Sequence, residues 1–229
     1  MPEYRETLTA TIPTPFLLID EAIVKKNILQ IQDYGDRHGF AVRPHIKTHK
    51  SLRIARMQLD AGAIGVAVAK VGEAEVMAAI DNLDILVAYP AVGAVRAGSL
   101  ARLAQNHNLC VAADTEYLMN ELADAACRHQ TVIGISVMFD AGLHRCGIAD
   151  PRQVTRLAHH AATRKGLRFD GIQIYLGHLY GDAARSPDSF ELVNRLWEPA
   201  YDALCAAGLK PPTVSSGSTP SVFNTHRVR

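Results

Sequence analysis

A lysine at the end of an apolar run can serve as a nucleophile when it is partly stripped of water. Desolvation disfavours the ammonium form and leaves a neutral amine able to attack a carbonyl. Lys47 has such a place, in the run Arg43-Pro44-His45-Ile46-Lys47-Thr48-His49-Lys50. Position alone fits an ordinary solvated lysine better, and Lys50 and Lys70 compete for the role. His45 and His49 stand four apart, but they flank a strand end and lack the glutamate of H-E-x-x-H, so a metal is not expected there. Residues 140–147 bring a carboxylate (Asp140), a glycine turn (Gly142) and Arg145. Either an Asp–Arg pair orders this loop, or the arginine is aimed at an anion or a ring nitrogen. Residues 215–220, Ser-Ser-Gly-Ser-Thr-Pro, form a hydroxyl-rich turn. It is either an ordinary loop or a place where backbone N–H groups and hydroxyls meet a phosphate.

Elements that could position these residues alternate along the chain. Strands are expected at 42–46, 64–69, 85–89, 109–113, 133–139, 171–176 and 213–215, several of them continuous Val/Ile/Leu/Ala runs. Such runs mark strands buried on both faces, hence a parallel sheet covered by helices. Val154, Leu157, Ala158 and Ala161 form a helical stripe behind Asp150 and Pro151, with Gly166 as a stop. Val24, Ile28 and Ile31 form another, opened by Asp20 and closed by Gly35; Val76, Ala79 and Ile80 form a third. The segment after Pro187 reads as helix, interrupted or kinked at Pro199. Residues 16–19 are a further strand-like run. The fold class expected is α/β, a parallel βα barrel of TIM type formed by one domain, 1–229; a doubly wound open sheet is the alternative. In such a barrel the carboxyl ends of all strands share one rim, so the polar motifs, each at a strand end, would converge there.

Composition agrees with an ordinary globular chain: 229 residues, 48% hydrophobic and 21% charged. A net charge of +1 gives no basic field for nucleic acid. Cys110, Cys127, Cys146 and Cys205 include no C-x-x-C pair and are expected to be reduced and mostly buried. Residues 1–14 lack an apolar signal core, and no apolar run reaches the roughly 20 residues of a membrane span. A cytoplasmic location without membrane contact is therefore expected.

The motifs are more specific together. Thr14-Pro15 with Asp20, then R-P-H-x-K-T-H-K, K-V-G-E-A-E, D-x-G-x-x-R-x-G, Y-x-G-H and S-x-G-S-T-P follow in this order. The set resembles the D-threonine aldolase and D-serine dehydratase family. These are pyridoxal 5′-phosphate (PLP) enzymes with an alanine racemase-like barrel followed by a β-rich domain. The resemblance runs from about Thr14 to the end. It implies that Lys47 forms the Schiff base with PLP and that Arg145 faces the pyridine nitrogen. It places Tyr175 and His178 near the ring or substrate, and Gly217, Ser218 and Thr219 on the phosphate. Glu73 and His45 would be supporting residues of the rim.

Two departures stand out. Ser216 replaces a glycine usual in the family's phosphate turn. The sequence also ends at Arg229, where the family continues into an eighth strand and the β-domain. That domain supplies a His with Asp or Cys as metal ligands and helps complete the site in a homodimer. No metal ligand can be carried over here, and a divalent metal would enter only with such a domain. The barrel is expected to be incomplete at its C-terminus. The activity implied is a lyase acting on a D-configured β-hydroxy amino acid, by Cα–Cβ cleavage or dehydration. The alternatives are a racemase, a non-catalytic PLP-binding homeostasis protein, or a remnant that binds nothing.

Overall fold

A computed structural model describes residues 10–228; of the opening segment 1–14, residues 1–9 lie outside it. Six strands form one sheet in sequential order: β1 (Val66–Val68), β2 (Asp84–Val87), β3 (Asn108–Ala113), β4 (Ile133–Phe139), β5 (Leu167–Ile174) and β6 (Thr213–Ser216). Every neighbouring pair is parallel. The sheet curls into an incomplete βα barrel, with helices on its outer face. These are α1 (Glu21–His38), α2 (Leu52–Asp60), α3 (Val71–Met77), α4 (Ala94–Leu103), α5 (Glu116–Arg128), α6 (Pro151–Thr163) and α7 (Pro187–Ala206). One apolar cluster joins the strands to these helices, from Ile46 through Leu100, Leu122 and Ile135 to Trp197 and Leu204. β4 is buried along its whole length, as its unbroken apolar sequence requires.

The helix starts follow capping chemistry. Asp20 accepts hydrogen bonds from the N–H groups of Ala22 (2.9 Å) and Ile23 (3.2 Å). Thr115 caps α5, and Asp150 caps α6 with Pro151 in its first turn. The stripe Val154, Leu157, Ala158, Ala161 is buried as expected.

Several expectations need correction. Residues 42–46 form no named strand: Val42 and Pro44 accept from Ile64 and Ala67 (3.0 and 2.8 Å), and His45 makes an isolated bridge to Ala67. Pro44 has no N–H to extend that ladder, so the segment is a bridging edge. Residues 16–19 form no strand. β5 begins at Leu167, four residues before the expected 171, because Arg168 and Asp170 disguise its start. Gly35 does not close α1. It is buried within the helix, where an added Cβ would stand 2.7 Å from Val42 Cγ2, and Gly39 (φ 71°) is the stop. In α3, Ala74 and Met77 face the core, whereas Val76 is exposed. α7 runs through Pro199 without interruption; Trp197, Ala200 and Leu204 anchor it on both sides of the missing N–H. The cysteines are free, as expected, but they are not mostly buried: Cys127 and Cys205 are exposed and the other two partly so. Among the described residues no helix is long and apolar enough to cross a membrane.

β5 carries one extra residue where its register with β4 shifts, between Ile135 and Ser136. Gly171 resumes the ladder there at φ 137°, and an added Cβ would collide with the Thr213 carbonyl of β6. Gly171→Ala should therefore cost at least about 2 kcal/mol of unfolding free energy, read as a lowered midpoint in urea.

Candidate active site

The loops leaving the carboxyl ends of the strands build a shared mouth. Before β1, the bridging segment turns into a 3₁₀ turn, Ile46–Thr48, whose cap is His45; His45 Nδ1 accepts from the Lys47 N–H at 3.4 Å. The buried Ile46 roots this turn in the core. Lys47 Nζ lies 5.7 Å from the centroid of the Tyr175 ring, brought there from the end of β5. Lys47 is exposed, as the solvated reading of its position has it, because it sits on a turn at the mouth rather than in a strand.

The competing lysines are placed differently. Lys50 adopts φ 48° and puts Nζ 3.3 Å from Glu73 Oε1. Glu73 is buried at the start of α3 and accepts from the Ala69 N–H at 2.8 Å. Burial pushes the Glu73 carboxyl up, but the Ala69 bond and Lys50 outweigh it and hold the carboxyl below its ordinary range. Lys70 is exposed and takes the cap position of α3. His45 is pushed down to about 4 by burial and by the Lys47 charge, against the opposing pull of Glu73. It is neutral at physiological pH, with Nδ1 as acceptor.

Of the two readings of loop 140–147, the ion-pair one is not formed. Asp140 accepts from the N–H groups of Gly142 and His144 and contacts His144 Nδ1, each at 3.0 Å. These bonds outweigh burial and hold the Asp140 carboxyl low. At the far end of the loop, Asp114 accepts from the Gly147 N–H at 3.0 Å. Arg145 is thus free to lie on aromatic rings: its Cζ is 4.5 Å from the Tyr175 centroid and 5.5 Å from that of Tyr89. Tyr89 was not singled out from sequence; its only signal was an aromatic residue at the end of an expected strand.

His178 follows Tyr175 by three residues. Its Nε2 would stand 3.7 Å from a Cβ placed on Gly142, so it adjoins the arginine loop. His178 Nδ1 is buried and has no hydrogen-bond partner among the described residues. Burial lowers the pKa of this ring, with Asp140 opposing and His144 assisting.

The hydroxyl-rich turn joins the same rim. Ser216 pairs in register with Ile174, so Gly217 emerges beside Tyr175. Gly217 has φ 121°, whereas Ser216 is not in the left-handed region, so the exchange of glycine for serine at 216 brings no backbone strain. Ser218 Oγ bonds Ser221 Oγ at 2.8 Å, and a 3₁₀ helix spans Thr219–Arg227. In the first turn of that helix Pro220 has no N–H and the Ser221 N–H bonds the Ser218 carbonyl at 3.1 Å, which leaves the Thr219 N–H for an anion. The helix is held against α1, where Tyr34 hydrogen-bonds His226 and the rings of His38 and His226 stack 4.3 Å apart. Lys47, Arg145, Tyr175, His178 and the turn at Gly217, Ser218 and Thr219 therefore share one mouth, with His45 adjoining Lys47.

A cavity of about 350 Å³ lies elsewhere, among Arg43, Asp84, Asn108, Cys110, Arg168 and Asp170 at the amino half of the strands. Its charges are paired with one another: Arg43 with Asp84, and Arg168 with Asp170.

Comparison with known proteins matches residues 19–228 to the family "Alanine racemase, N-terminal domain". The chain belongs to this family. It is 36% identical over 222 residues to the 3-hydroxy-D-aspartate aldolase of Paracoccus denitrificans, covering 93% of this chain and 56% of that protein. Among solved structures, the D-threonine aldolase of Filomicrobium marinum superposes with a TM-score of 0.87 at 31% identity, over 93% of this chain and 58% of that one. The D-threo-3-hydroxyaspartate dehydratase of Delftia sp. HT23 gives 0.79 at 30% identity, over 93% and 57%. The chain spans about half the length of the family relatives it matches.

His45 makes a pH dependence testable. Its folded pKa lies below the ordinary 6.5, so between pH 6.5 and about 4 the unfolded chain binds the proton first. The stability contributed by the neutral ring should be present above pH 6.5 and lost as pH falls through that window. The His45 ring resonance should titrate near pH 4, and His45→Asn should remove this part of the acid sensitivity.

Proposed function

We propose that residues 1–229 form the cofactor-bearing barrel of a PLP-dependent lyase acting on D-configured β-hydroxy amino acids. One observation carries the reading: the Lys47 amine and the Arg145 guanidinium both lie against the Tyr175 ring, at 5.7 and 4.5 Å from its centroid. The relatives are named for D-threonine, 3-hydroxy-D-aspartate and D-serine, and act as aldolases or dehydratases. The likeness to alanine racemases, at 18% identity or below, concerns the fold alone.

The residues present fit PLP. Lys47 makes no ion pair among the described residues, whereas Lys50 is tied to Glu73. His178 Nδ1 and Ser216 Oγ are buried polar atoms without partners among the described residues. Gly217, Ser218 and Thr219 would hold the phosphate. When bound, PLP supplies the electron sink that allows a bond at the substrate Cα to break.

The remaining steps belong to the chain. Lys47 would hold the cofactor through its amine. The same amine stands ready to move a proton at Cα. A guanidinium can only donate hydrogen bonds, so a ring nitrogen facing Arg145 would be left as an acceptor. Neutral His45 accepts the Lys47 backbone N–H and adds no second positive charge beside the amine. His178 is placed to orient the substrate hydroxyl or the cofactor ring. The choice between Cα–Cβ cleavage and loss of the β-hydroxyl would rest with a divalent metal supplied by a C-terminal domain. The reading extends to a homodimer in the full-length form, which would cover apolar surface such as Leu17, 92% exposed. The exposed thiols of Cys127 and Cys205 suit a reducing cytoplasm.

Borohydride reduction of the PLP-loaded chain should fix a pyridoxyl group on the peptide containing Lys47. Lys47→Ala should abolish the label and lower lyase turnover of D-threonine or D-3-hydroxyaspartate on the order of 10³-fold or more. A label on Lys50 or Lys70, read by mass spectrometry, would overturn the assignment.

A further inference from the structure

Arg145 is charged, exposed and long, and it forms no ion pair among the described residues. Its loop backbone is fixed at both ends, by Asp140 on the N–H groups of Gly142 and His144 and by Asp114 on that of Gly147. Those bonds place the Cα of Arg145 but do not choose among the rotamers of a side chain with several free torsions. What remains to choose is the pair of rings against the guanidinium: Tyr175 from the end of β5 and Tyr89 from the end of β2.

Tyr89 lies two residues beyond the end of β2 and precedes Pro90, whose ring restricts the backbone of the residue before it. The residue is 47% exposed, and its phenol oxygen has no hydrogen-bond partner among the described residues. Its contact with Arg145 is therefore made by the face of the ring. A guanidinium within about 6 Å of a ring centroid is attracted by the negative face of the π system. The Tyr175 ring is shared with the Lys47 amine at 5.7 Å, whereas among the described residues Arg145 is the cation that lies over Tyr89.

We propose that Tyr89 is a positioning residue that clamps Arg145 against Tyr175 and so holds the guanidinium where it meets the pyridine nitrogen of the cofactor. The part that concerns the cofactor rests on the proposed function; the clamp itself does not. Tyr89 acts through Arg145, by the aromatic face and not by the hydroxyl.

The cofactor-free chain tests the clamp by NMR. The Arg145 Cδ protons should be shifted upfield by both rings. Tyr89→Leu should remove part of that shift and Tyr89→Phe should keep it. PLP titration tests the consequence: Tyr89→Leu should raise the PLP Kd about 2- to 5-fold, with Tyr89→Phe within about 2-fold of the unaltered chain. In an Arg145→Gln background the Tyr89→Leu effect should vanish, because no cation remains to be held. An unchanged Arg145 shift in Tyr89→Leu overturns the clamp. So does a Tyr89→Phe variant that behaves like Tyr89→Leu, or an equal Kd penalty in the Arg145→Gln background. If the chain binds no PLP at all, the proposed function fails, while the NMR comparison still decides the clamp.

Discussion

Parallel pairing constrains this molecule more than any other interaction. When all six strands run the same way, each contributes its last residue to one rim and its first residue to the opposite end. The interiors of β1, β2 and β4 are buried, so charged side chains on them can be held only at these two ends. The register makes the constraint quantitative: Ile174 opposite Ser216 sets Tyr175 beside Gly217, and Phe139 opposite Ile174 sets the Asp140 loop beside Tyr175. Residues separated by more than a hundred positions, Lys47 and Tyr175 among them, meet because the segments that carry them end at one rim and not because they pair directly.

The two ends handle charge in opposite ways. At the amino half, Asp84 bonds Arg43 and Asn108, and Arg168 bonds Asn108 and Asp170. Every charge there has a partner, as burial demands, since an unpaired ion in a low dielectric is strongly unfavourable. At the carboxyl end the carboxylates are committed elsewhere: Glu73 to Lys50 and the Ala69 N–H, Asp140 and Asp114 to loop N–H groups. The amino end is thus a closed electrostatic structure, and the carboxyl end keeps cations without counterions. The difference supports placing function at the carboxyl mouth rather than in the better enclosed cavity.

Much of this arrangement was legible in the sequence. The continuous apolar runs marked four of the strands to within a few residues, because a strand buried on both faces has no other solution. The caps at Asp20 and Asp150 were equally plain. Legibility failed where tertiary contacts override local pattern. Arg168 and Asp170 are strand residues whose charges are satisfied across the interior, so hydropathy missed the start of β5. Gly35 resembled a helix stop but is a contact with Val42 and Phe40 that leaves no room for a side chain. Val76, apolar yet exposed, misled the helical phase of α3. In the candidate site, Lys47, Arg145, Tyr175 and His178 could be named from motifs, but their mutual distances could not. Tyr89 had no motif: a ring that stacks on a cation leaves no spacing to read, since its partner lies on a different strand.

The same physics separates three lysines that position alone did not. An amine that must be displaced and recovered cannot be held by a carboxylate, because an ion pair favours the ammonium form and ties it down. Lys50 has Glu73, itself buried, and its positive φ commits the backbone to that contact. Lys70 caps α3, outside the group gathered around Tyr175. Lys47 has only a ring face and the neutral His45, two neighbours that neither neutralise nor trap it. With Arg145 on the same ring, two cations stand at one mouth with no acid between them. Such a mouth suits an anionic ligand by its field alone. The cofactor chemistry proposed for Lys47 and the selection of anionic ligands therefore follow from one cause: the nearby carboxylates are already bound.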